Sequence, residues 1–256
     1  KHGAAALLRP VPAWLPVLIA ATRLMAVLYL HGFGNSQPQT DGIAAELKAR
    51  VPELLVRSYH PHGDWQQTRL PDFLEELRAE ATERPFTAIV GFSVGGLIAA
   101  LFQDRWPKLV ERVVLLAPAI DNYERNFQHV PQARWFMPPA YVTELEKLPA
   151  RPALKVPALL IHGKRDTDGG GSALWRIQQW AKTERFERIF YPDAGHSTDV
   201  VGRDSPGWDA LATWALTGDL NGTRAGTSHA HVQWSSEVEE AGGGAALTRE
   251  ADKAEL

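Results

Sequence analysis

Three side chains in this sequence have the types that serine-based acyl transfer requires. Ser93 is the central residue of a Gly-x-Ser-x-Gly run, Asp166 ends the run IHGKRD, and His196 lies in the run DAGHS. A serine hydroxyl alone is too weakly acidic to attack a carbonyl, so an imidazole must take its proton and a carboxylate must fix the tautomer of that imidazole. We therefore predict that Ser93 is the nucleophile, His196 the base and Asp166 the carboxylate.

Asp168 is a second candidate for the carboxylate. It follows Asp166 by two residues, in a Thr-Asp-Gly-Gly-Gly run that is typical of a flexible turn. The spacing of Asp166 after His162 and Gly163 favours Asp166. Each residue type alone has an ordinary explanation, because serines cap helices and aspartates form turns. The prediction therefore depends on the three occurring together, each just past a predicted strand.

Each of the three candidates follows a segment with the composition of a buried strand. The predicted strands are Met25–Leu30, Leu54–Arg57, Thr87–Val90, Arg112–Ala117, Ala158–Ile161 and Arg188–Tyr191. Amphipathic stretches alternate with them, one of which has Ile43, Leu47 and Val51 at helical spacing. This alternation predicts an α/β fold, with a mostly parallel sheet of about six or more strands and helices on both faces. Because the carboxyl ends of parallel strands share one edge of the sheet, we expect the candidates to meet there.

The strand, the glycine-flanked Ser93 and the helical stretch after it resemble the nucleophile turn of the α/β-hydrolase family, which also has the order serine, acid, histidine. The resemblance spans residues 25–216 and is greatest to small esterase-type members, whose chain enters the sheet through a run like LYLHGF at residues 28–33. It implies a serine esterase, a carboxylic ester hydrolase that forms an acyl-enzyme on esters or thioesters. It implies no organic cofactor and no metal.

The resemblance also implies an oxyanion hole, a pair of donors for the charge that develops on the substrate carbonyl. The donors are the backbone amides of Phe33 and Val94. Gly32 and Gly34 flank the first donor and are expected to contact the substrate. The two leading strands of full-length family members are not evident before Met25.

Two histidines, His31 and His162, each precede a glycine at the end of a predicted strand. Neither is required for the reaction that the resemblance implies. We expect both imidazoles to hydrogen-bond loop backbone near the site.

Residues 118–152 lie between two predicted strands, where the family inserts a cap. Trp135, Phe136 and Met137 stand in this short segment before two prolines. We expect these three side chains to contact the substrate as a compact lid over an apolar acyl pocket, although the cluster is equally compatible with ordinary packing of a loop on the sheet. A lid this short favours acyl chains of short to medium length and leaves the alcohol side open.

Residues 60–64 carry a pattern that is typical of a different chemistry. His60, His62 and Asp64 resemble the start of the metal motif of metallo-β-lactamase-like hydrolases, and two imidazoles with a carboxylate can bind zinc. The next residue is Trp65, where that family has a further metal-binding histidine. The same run also resembles the rim loop of α/β-hydrolases. A metal-dependent hydrolase is therefore the less favoured alternative.

A catalytically silent hydrolase-fold protein that binds a small ligand is the other alternative. Such proteins usually lack the serine or the histidine, and this chain has both. The expected partner is in either case a small molecule. Lys and Arg number 27 against 30 Asp and Glu, a net charge of -3, so there is no broad basic field for nucleic acid. The chain has no cysteine, which excludes thiol nucleophiles and cysteine-ligated metals.

The chain has three predicted parts. Residues 1–24 form an apolar extension, expected to be a leader, a fusion or a segment packed on the domain, and Pro12, Pro16 and Arg23 argue against a membrane span there. Residues 25–217 form the catalytic domain. Residues 218–256 are rich in Gly, Ala, Thr, Ser and Glu, which predicts a flexible tail. We expect a soluble protein, with an intracellular location favoured and residues 1–24 as a possible targeting remnant.

Overall fold

A computed structural model describes residues 26–32, 42–60, 67, 69–120, 147, 149, 151–166, 173–196, 201 and 205–219. The predicted N-terminal extension lies outside these residues, and so does all of the predicted tail beyond Asp219. Most of the predicted cap segment lies outside them as well. Every helix in the described ranges is too short or too polar to cross a lipid bilayer.

Six parallel strands form the sheet in the described part of the chain. They are β1 (Val27–Leu30), β2 (Leu54–Arg57), β3 (Phe86–Phe92), β4 (Val110–Leu116), β5 (Ala158–Ile161) and β6 (Arg188–Phe190). Their order across the sheet is β2-β1-β3-β4-β5-β6, and every neighbouring pair is parallel. The prediction of a parallel sheet is confirmed. The three strand ends that precede the candidate residues, those of β3, β5 and β6, therefore lie at one edge.

Helices cover both faces of this sheet, as predicted. The described helices are α1 (Gly42–Lys48), α2 (Leu70–Glu83), α3 (Val94–Arg105), α4 (Leu174–Thr183) and α5 (Ser205–Thr217), with a short 3-10 helix at Pro107–Leu109. Successive strand side chains point to opposite faces. In β1, Leu28 and Leu30 pack with α2, α3 and α4, whereas Val27 and Tyr29 pack with α1 and α5. The result is a three-layer α/β domain.

Several predicted element ends differ from the structure by one to three residues, and two of them have a clear physical cause. The buried Val51 was predicted at helical spacing, but α1 ends at Lys48, and Val51 follows in a turn whose amide still donates to the Leu47 carbonyl at 2.8 Å. Pro52 explains the difference, since a residue before proline disfavours helical backbone. Ala117 was predicted as the last residue of β4, but its φ is 40° and it lies outside the strand. The chain turns there because the next loop packs against the end of β3.

The start of β5 is fixed by a buried amide of α3. Gln103 donates from Nε2 to the carbonyl of Ala153 at 2.6 Å and accepts at Oε1 from the amide of Lys155 at 2.7 Å. Trp180 of α4 donates to the carbonyl of Pro152 at 3.2 Å. These contacts fix the point at which the chain enters β5, the strand that precedes Asp166.

Candidate active site

Ser93 occupies a sharp turn between β3 and α3. Its φ is 54° and its ψ is -117°, backbone angles that a residue other than glycine rarely adopts. The Ser93 amide donates to the carbonyl of Leu116 at 2.9 Å, and the Ser93 carbonyl accepts from the amide of Ala119 at 2.9 Å. The end of β4 and the loop after it thus hold this strained backbone in place.

The two glycines around Ser93 are required by close packing. A Cβ atom on Gly91 would overlap the backbone of Gly95, and a Cβ atom on Gly95 would overlap the carbonyl oxygens of Leu30 and His31. No larger residue fits either position without moving a strand end. The expectation drawn from the Gly-x-Ser-x-Gly run, that only glycine fits on each side, agrees with this geometry.

The structure brings the three sequence candidates into one hydrogen-bonded chain. Nε2 of His196 lies 3.0 Å from Oγ of Ser93, and Nδ1 of His196 lies 2.7 Å from Oδ2 of Asp166. Asp166 is only 1% exposed and Ser93 4% exposed. A carboxylate accepts only, so the Nδ1–H tautomer follows from these contacts, with Nε2 left to accept the serine proton. This arrangement can move a proton from Ser93 to His196.

The loop from β5 to Asp166, called the acid loop below, is hydrogen-bonded through its backbone to the loop from β6 to His196, called the histidine loop. The amide of Lys164 donates to the carbonyl of Pro192 at 2.8 Å, and that of Arg165 donates to the carbonyl of Ala194 at 2.9 Å. The position of the carboxylate relative to the imidazole is therefore set by main-chain bonds between the loops.

One predicted oxyanion donor, the Val94 amide, lies at the start of α3. The first amides of a helix have no acceptor within it, so this donor is available to a ligand. Gly32 is close to Ser93, since a Cβ atom placed on it would lie 3.5 Å from Cβ of Ser93. The other donor, Phe33, lies outside the described residues, as does Gly34.

His31 contacts loop backbone beside the site, as expected. Its Nδ1 lies 2.6 Å from the carbonyl oxygen of Gly32, and its Nε2 lies 3.0 Å from Oγ of Ser58. The ring is fully buried and stacks on Tyr59 with 4.5 Å between ring centroids. These contacts fix the peptide that leads into the predicted oxyanion loop.

His162 lies beside the acid, where backbone contacts were expected. Its Nε2 lies 3.6 Å from Oδ2 of Asp166, and both side chains are fully buried. The turn explains this placement, because the Asp166 amide donates to the carbonyl of Gly163 at 3.1 Å and folds the carboxylate back over the strand end. The structure thus places this imidazole next to a carboxylate.

Phe92 is a residue that sequence reasoning missed. Its ring lies 5.2 Å from the ring of His196, between centroids, and a Cβ atom on Gly32 would approach it at 2.9 Å. The phenyl group therefore lies against both His196 and Gly32, which leads into the predicted oxyanion loop. Its position directly before Ser93 was the available signal.

The remaining predicted site residues are largely outside the described ranges. This holds for Asp168, for the lid residues Trp135, Phe136 and Met137, and for His62 and Asp64 of the metal pattern. His60 is described and is 2% exposed, with its ring 4.3 Å from that of Tyr59 between centroids. Within the described ranges, no group of three or more His, Cys, Asp or Glu side chains could hold a metal ion.

Comparison with known proteins points to a single fold family. Residues 27–154, half of the chain, match the model of the alpha/beta hydrolase family. Uncharacterized proteins of Mycobacterium bovis and Mycobacterium tuberculosis are 31% identical over 98 residues, or 36% of this chain. The chain spans 28% of the length of these curated relatives.

Two esterase structures have the same fold at low sequence identity. Est1E from Butyrivibrio proteoclasticus is 15% identical, covering 75% of this chain and 85% of its own, with a TM-score of 0.57. The esterase domain of a Rhodothermus marinus protein is 16% identical, covering 77% of this chain and 88% of its own, with a TM-score of 0.52. At sequence identities this low, the similarity shows a shared fold and nothing more specific.

Proposed function

The chain belongs to the alpha/beta hydrolase family, and we propose that it is a serine esterase that cleaves carboxylic esters through an acyl-enzyme. The observation that carries this proposal is the chain of contacts from Ser93 Oγ through His196 to Asp166, with distances of 3.0 and 2.7 Å. The strained backbone of Ser93, which directs its side chain to the edge of the sheet, supports the same assignment.

Acylation begins when His196 Nε2 removes the hydroxyl proton of Ser93. Oγ attacks the ester carbonyl carbon, and the carbonyl π electrons move to oxygen to give a tetrahedral oxyanion. The imidazolium keeps its Nδ1–H on the carboxylate of Asp166, which offsets the new positive charge. The carbon–oxygen bond to the alcohol then breaks, and the imidazolium gives its proton to the leaving oxygen.

Deacylation repeats the proton transfers with water as the nucleophile. His196 Nε2 takes a proton from water as the water oxygen attacks the acyl carbon on Ser93. The bond to Oγ then breaks, Oγ takes the proton back from the imidazolium, and the carboxylic acid leaves. The enzyme returns to its starting protonation state, and substrate and water account for every bond and proton in the two steps.

The oxyanion is stabilised by the amides of Phe33 and Val94 in this proposal. Val94 begins α3, so its amide carries the partial positive charge of a helix N-terminus. A donor fixed there interacts more strongly with the oxyanion than with the neutral ester carbonyl, which lowers the barrier.

We propose esters of short to medium acyl chain as substrates, with thioesters as a variant of the same chemistry. Trp135, Phe136 and Met137 would line the acyl side. Gly32 and Gly34 would line the carbonyl side. A catalytically silent ligand-binding protein and a metal hydrolase that uses His60, His62 and Asp64 remain the alternatives.

The decisive experiment combines covalent labelling with turnover. A fluorophosphonate probe should label the native full chain on Ser93, located by peptide mass spectrometry, and heat-denatured protein should stay unlabelled. Ser93→Ala should lower kcat on a short p-nitrophenyl ester by about four to six orders of magnitude. Ser228→Ala, the same substitution in the C-terminal segment, serves as the matched control and should leave kcat unchanged.

Three results would contradict the proposal. Near-normal turnover by Ser93→Ala would show that Ser93 is not the nucleophile. Loss of activity when metal ions are chelated would favour the metal-dependent hydrolase. Absence of turnover on every ester and thioester, together with saturable ligand binding, would favour the silent binder. A profile of acyl chain lengths then tests the substrate range, and a strong preference for long-chain triglycerides would contradict it.

A further inference from the structure

We propose that His162 is a positioning residue that holds the carboxylate of Asp166 through its Nε2–H, an inference that rests on the proposed function. Oδ2 of Asp166 faces two imidazole nitrogens, at 2.7 Å from Nδ1 of His196 and 3.6 Å from Nε2 of His162. The proposed reaction assigns no proton transfer to His162. Its place beside the acid therefore calls for a role of its own.

The backbone holds His162 close to the carboxylate. The His162 amide donates to the carbonyl of Phe190 at 2.9 Å, across the β5–β6 edge. The turn bond from Asp166 to Gly163 brings the carboxylate back over the ring. Neither side chain can leave without unpacking the strand end, because both are fully buried.

The charge of Asp166 determines which nitrogen of His162 carries the proton. A buried carboxylate is costly unless donors surround it, and a lone pair directed at it would add repulsion. Oδ1 of Asp166 has no hydrogen-bond partner among the described residues, whereas Oδ2 faces both imidazoles. An Nε2–H on neutral His162 places the positive end of a bond dipole toward Oδ2. The charged groups next along these loops, Arg165 and Asp193, are 69% and 79% exposed and pair with each other.

The contact matters most when His196 is protonated during the reaction. The carboxylate must then stay ionised and in line with Nδ1 of His196. At 3.6 Å the contact to His162 is longer than a hydrogen bond in the free protein. Such bonds are often long in the unliganded enzyme and shorten in the reacting complex. His162 would in this way limit rotation of the carboxylate, and its Nε2–H dipole would offset part of the negative charge on Oδ2.

The first test reads the proton directly and needs no substrate. The full chain labelled with 15N-histidine gives NMR signals that identify the tautomer of each ring, and His162→Gln assigns the His162 signal by its loss. The expected result is a proton on Nε2 of His162 from pH 6 to 9. An unprotonated Nε2 over that range would overturn the proposal.

The second test uses two replacements of His162. His162→Gln keeps an N–H donor near the position of Nε2, and His162→Leu removes it at similar volume. His162→Leu should lower kcat by about 10-fold with KM unchanged. The pH midpoint of the acid limb of kcat/KM should rise by about 0.5 to 1 pH unit. Without the N–H donor of His162, less of the carboxylate charge is offset, and that charge favours the protonated form of His196 more strongly. His162→Gln should stay within about 3-fold of the native kcat.

A matched control separates positioning from general stability. Leu74→Ala also truncates a fully buried side chain, but on α2, which supplies no residue to the proposed site. It should lower the melting temperature without moving the pH midpoint. Equal losses in His162→Leu and His162→Gln, or an unmoved pH midpoint in His162→Leu, would overturn the proposal. If His162→Leu does not fold, the NMR measurement of the His162 tautomer in the native chain decides whether the proposal holds.

Failure of this inference differs from failure of the proposed function. If the native chain labels at Ser93 and turns over esters while Nε2 of His162 is unprotonated, only this inference fails. If the native chain is inactive on every ester while Nε2 is protonated, only the proposed function fails.

Discussion

The backbone of Gly163 in the acid loop lies so close to the carbonyl oxygen of Ala194 in the histidine loop that no Cβ atom fits between them. Gly195, the residue directly before His196, has open space where its Cβ would be. One glycine of the two loops is thus required by packing and the other is not. The difference provides a matched pair of substitutions.

Gly163→Ala should lower kcat by about 100-fold, since moving the acid loop by as little as an ångström misaligns Asp166 and His196. Gly195→Ala adds the same methyl group next to the base and should keep kcat within a few-fold. Steady-state kinetics on one ester, with circular dichroism to confirm folding, measures both. Equal losses in the two variants would contradict the packing argument.

We predict that turnover needs the carboxylate of Asp166 and not that of Asp168. Asp166→Asn should lower kcat by about four orders of magnitude, because an amide can hold His196 in the wrong tautomer. Asp168→Asn should change kcat little. Single-turnover acylation rates for both variants test the assignment, and reversed losses would transfer the role to Asp168.

Tyr191 makes stability depend on alkaline pH. Burial raises the pKa of Tyr191 from 10.0 to about 12. A raised pKa means that the folded state holds the phenol proton more tightly than the unfolded chain. The resulting stability is complete below pH 10 and is lost as the pH rises through about 12. In urea titrations at pH 8 and pH 11.5, Tyr191→Phe should lose less stability than the native chain between the two values, and equal losses would contradict the shift.

The sheet could be predicted because burial is visible in local sequence. Ala158–Ile161 is apolar throughout and is β5 with the predicted bounds. Because β5 lies between two layers of helices, its residues are apolar on both faces. Ser93, Asp166 and His196 follow strand ends, so a parallel sheet alone brings them to one edge.

What could not be predicted depends on contacts between distant segments. Nothing local marks Gly163 as the place where two loops touch. Ala117 reads as a strand residue, yet it turns out of β4 because the following loop must reach the backbone of Ser93. Such features follow from three-dimensional packing, which periodicity does not encode.

The C-terminal end of α5 depends on Gly218, so the predicted boundary of the catalytic domain at residue 217 can be tested by truncation. Gly218 has a φ of 74° and its amide donates to the carbonyl of Trp214 at 2.7 Å, which is the usual way a helix ends. The guanidinium of Arg112 donates to the last carbonyls, at 3.1 Å to Ala215 and 3.0 Å to Leu216. These contacts tie α5 to β4.

A chain that ends at Asp219 keeps both sets of contacts, whereas one that ends at Thr217 loses the Gly218 amide and places a carboxylate at the negative end of the helix. We expect the longer form to match the full chain in urea stability and to keep kcat within a few-fold. The shorter form should lose about 1 kcal/mol of stability. Its kcat should stay unchanged, because the end of α5 contacts Arg112 near the start of β4, whereas Ser93 contacts Leu116 at the other end of that strand. A longer form that unfolds or loses activity would mean that residues 220–256 contribute to the domain.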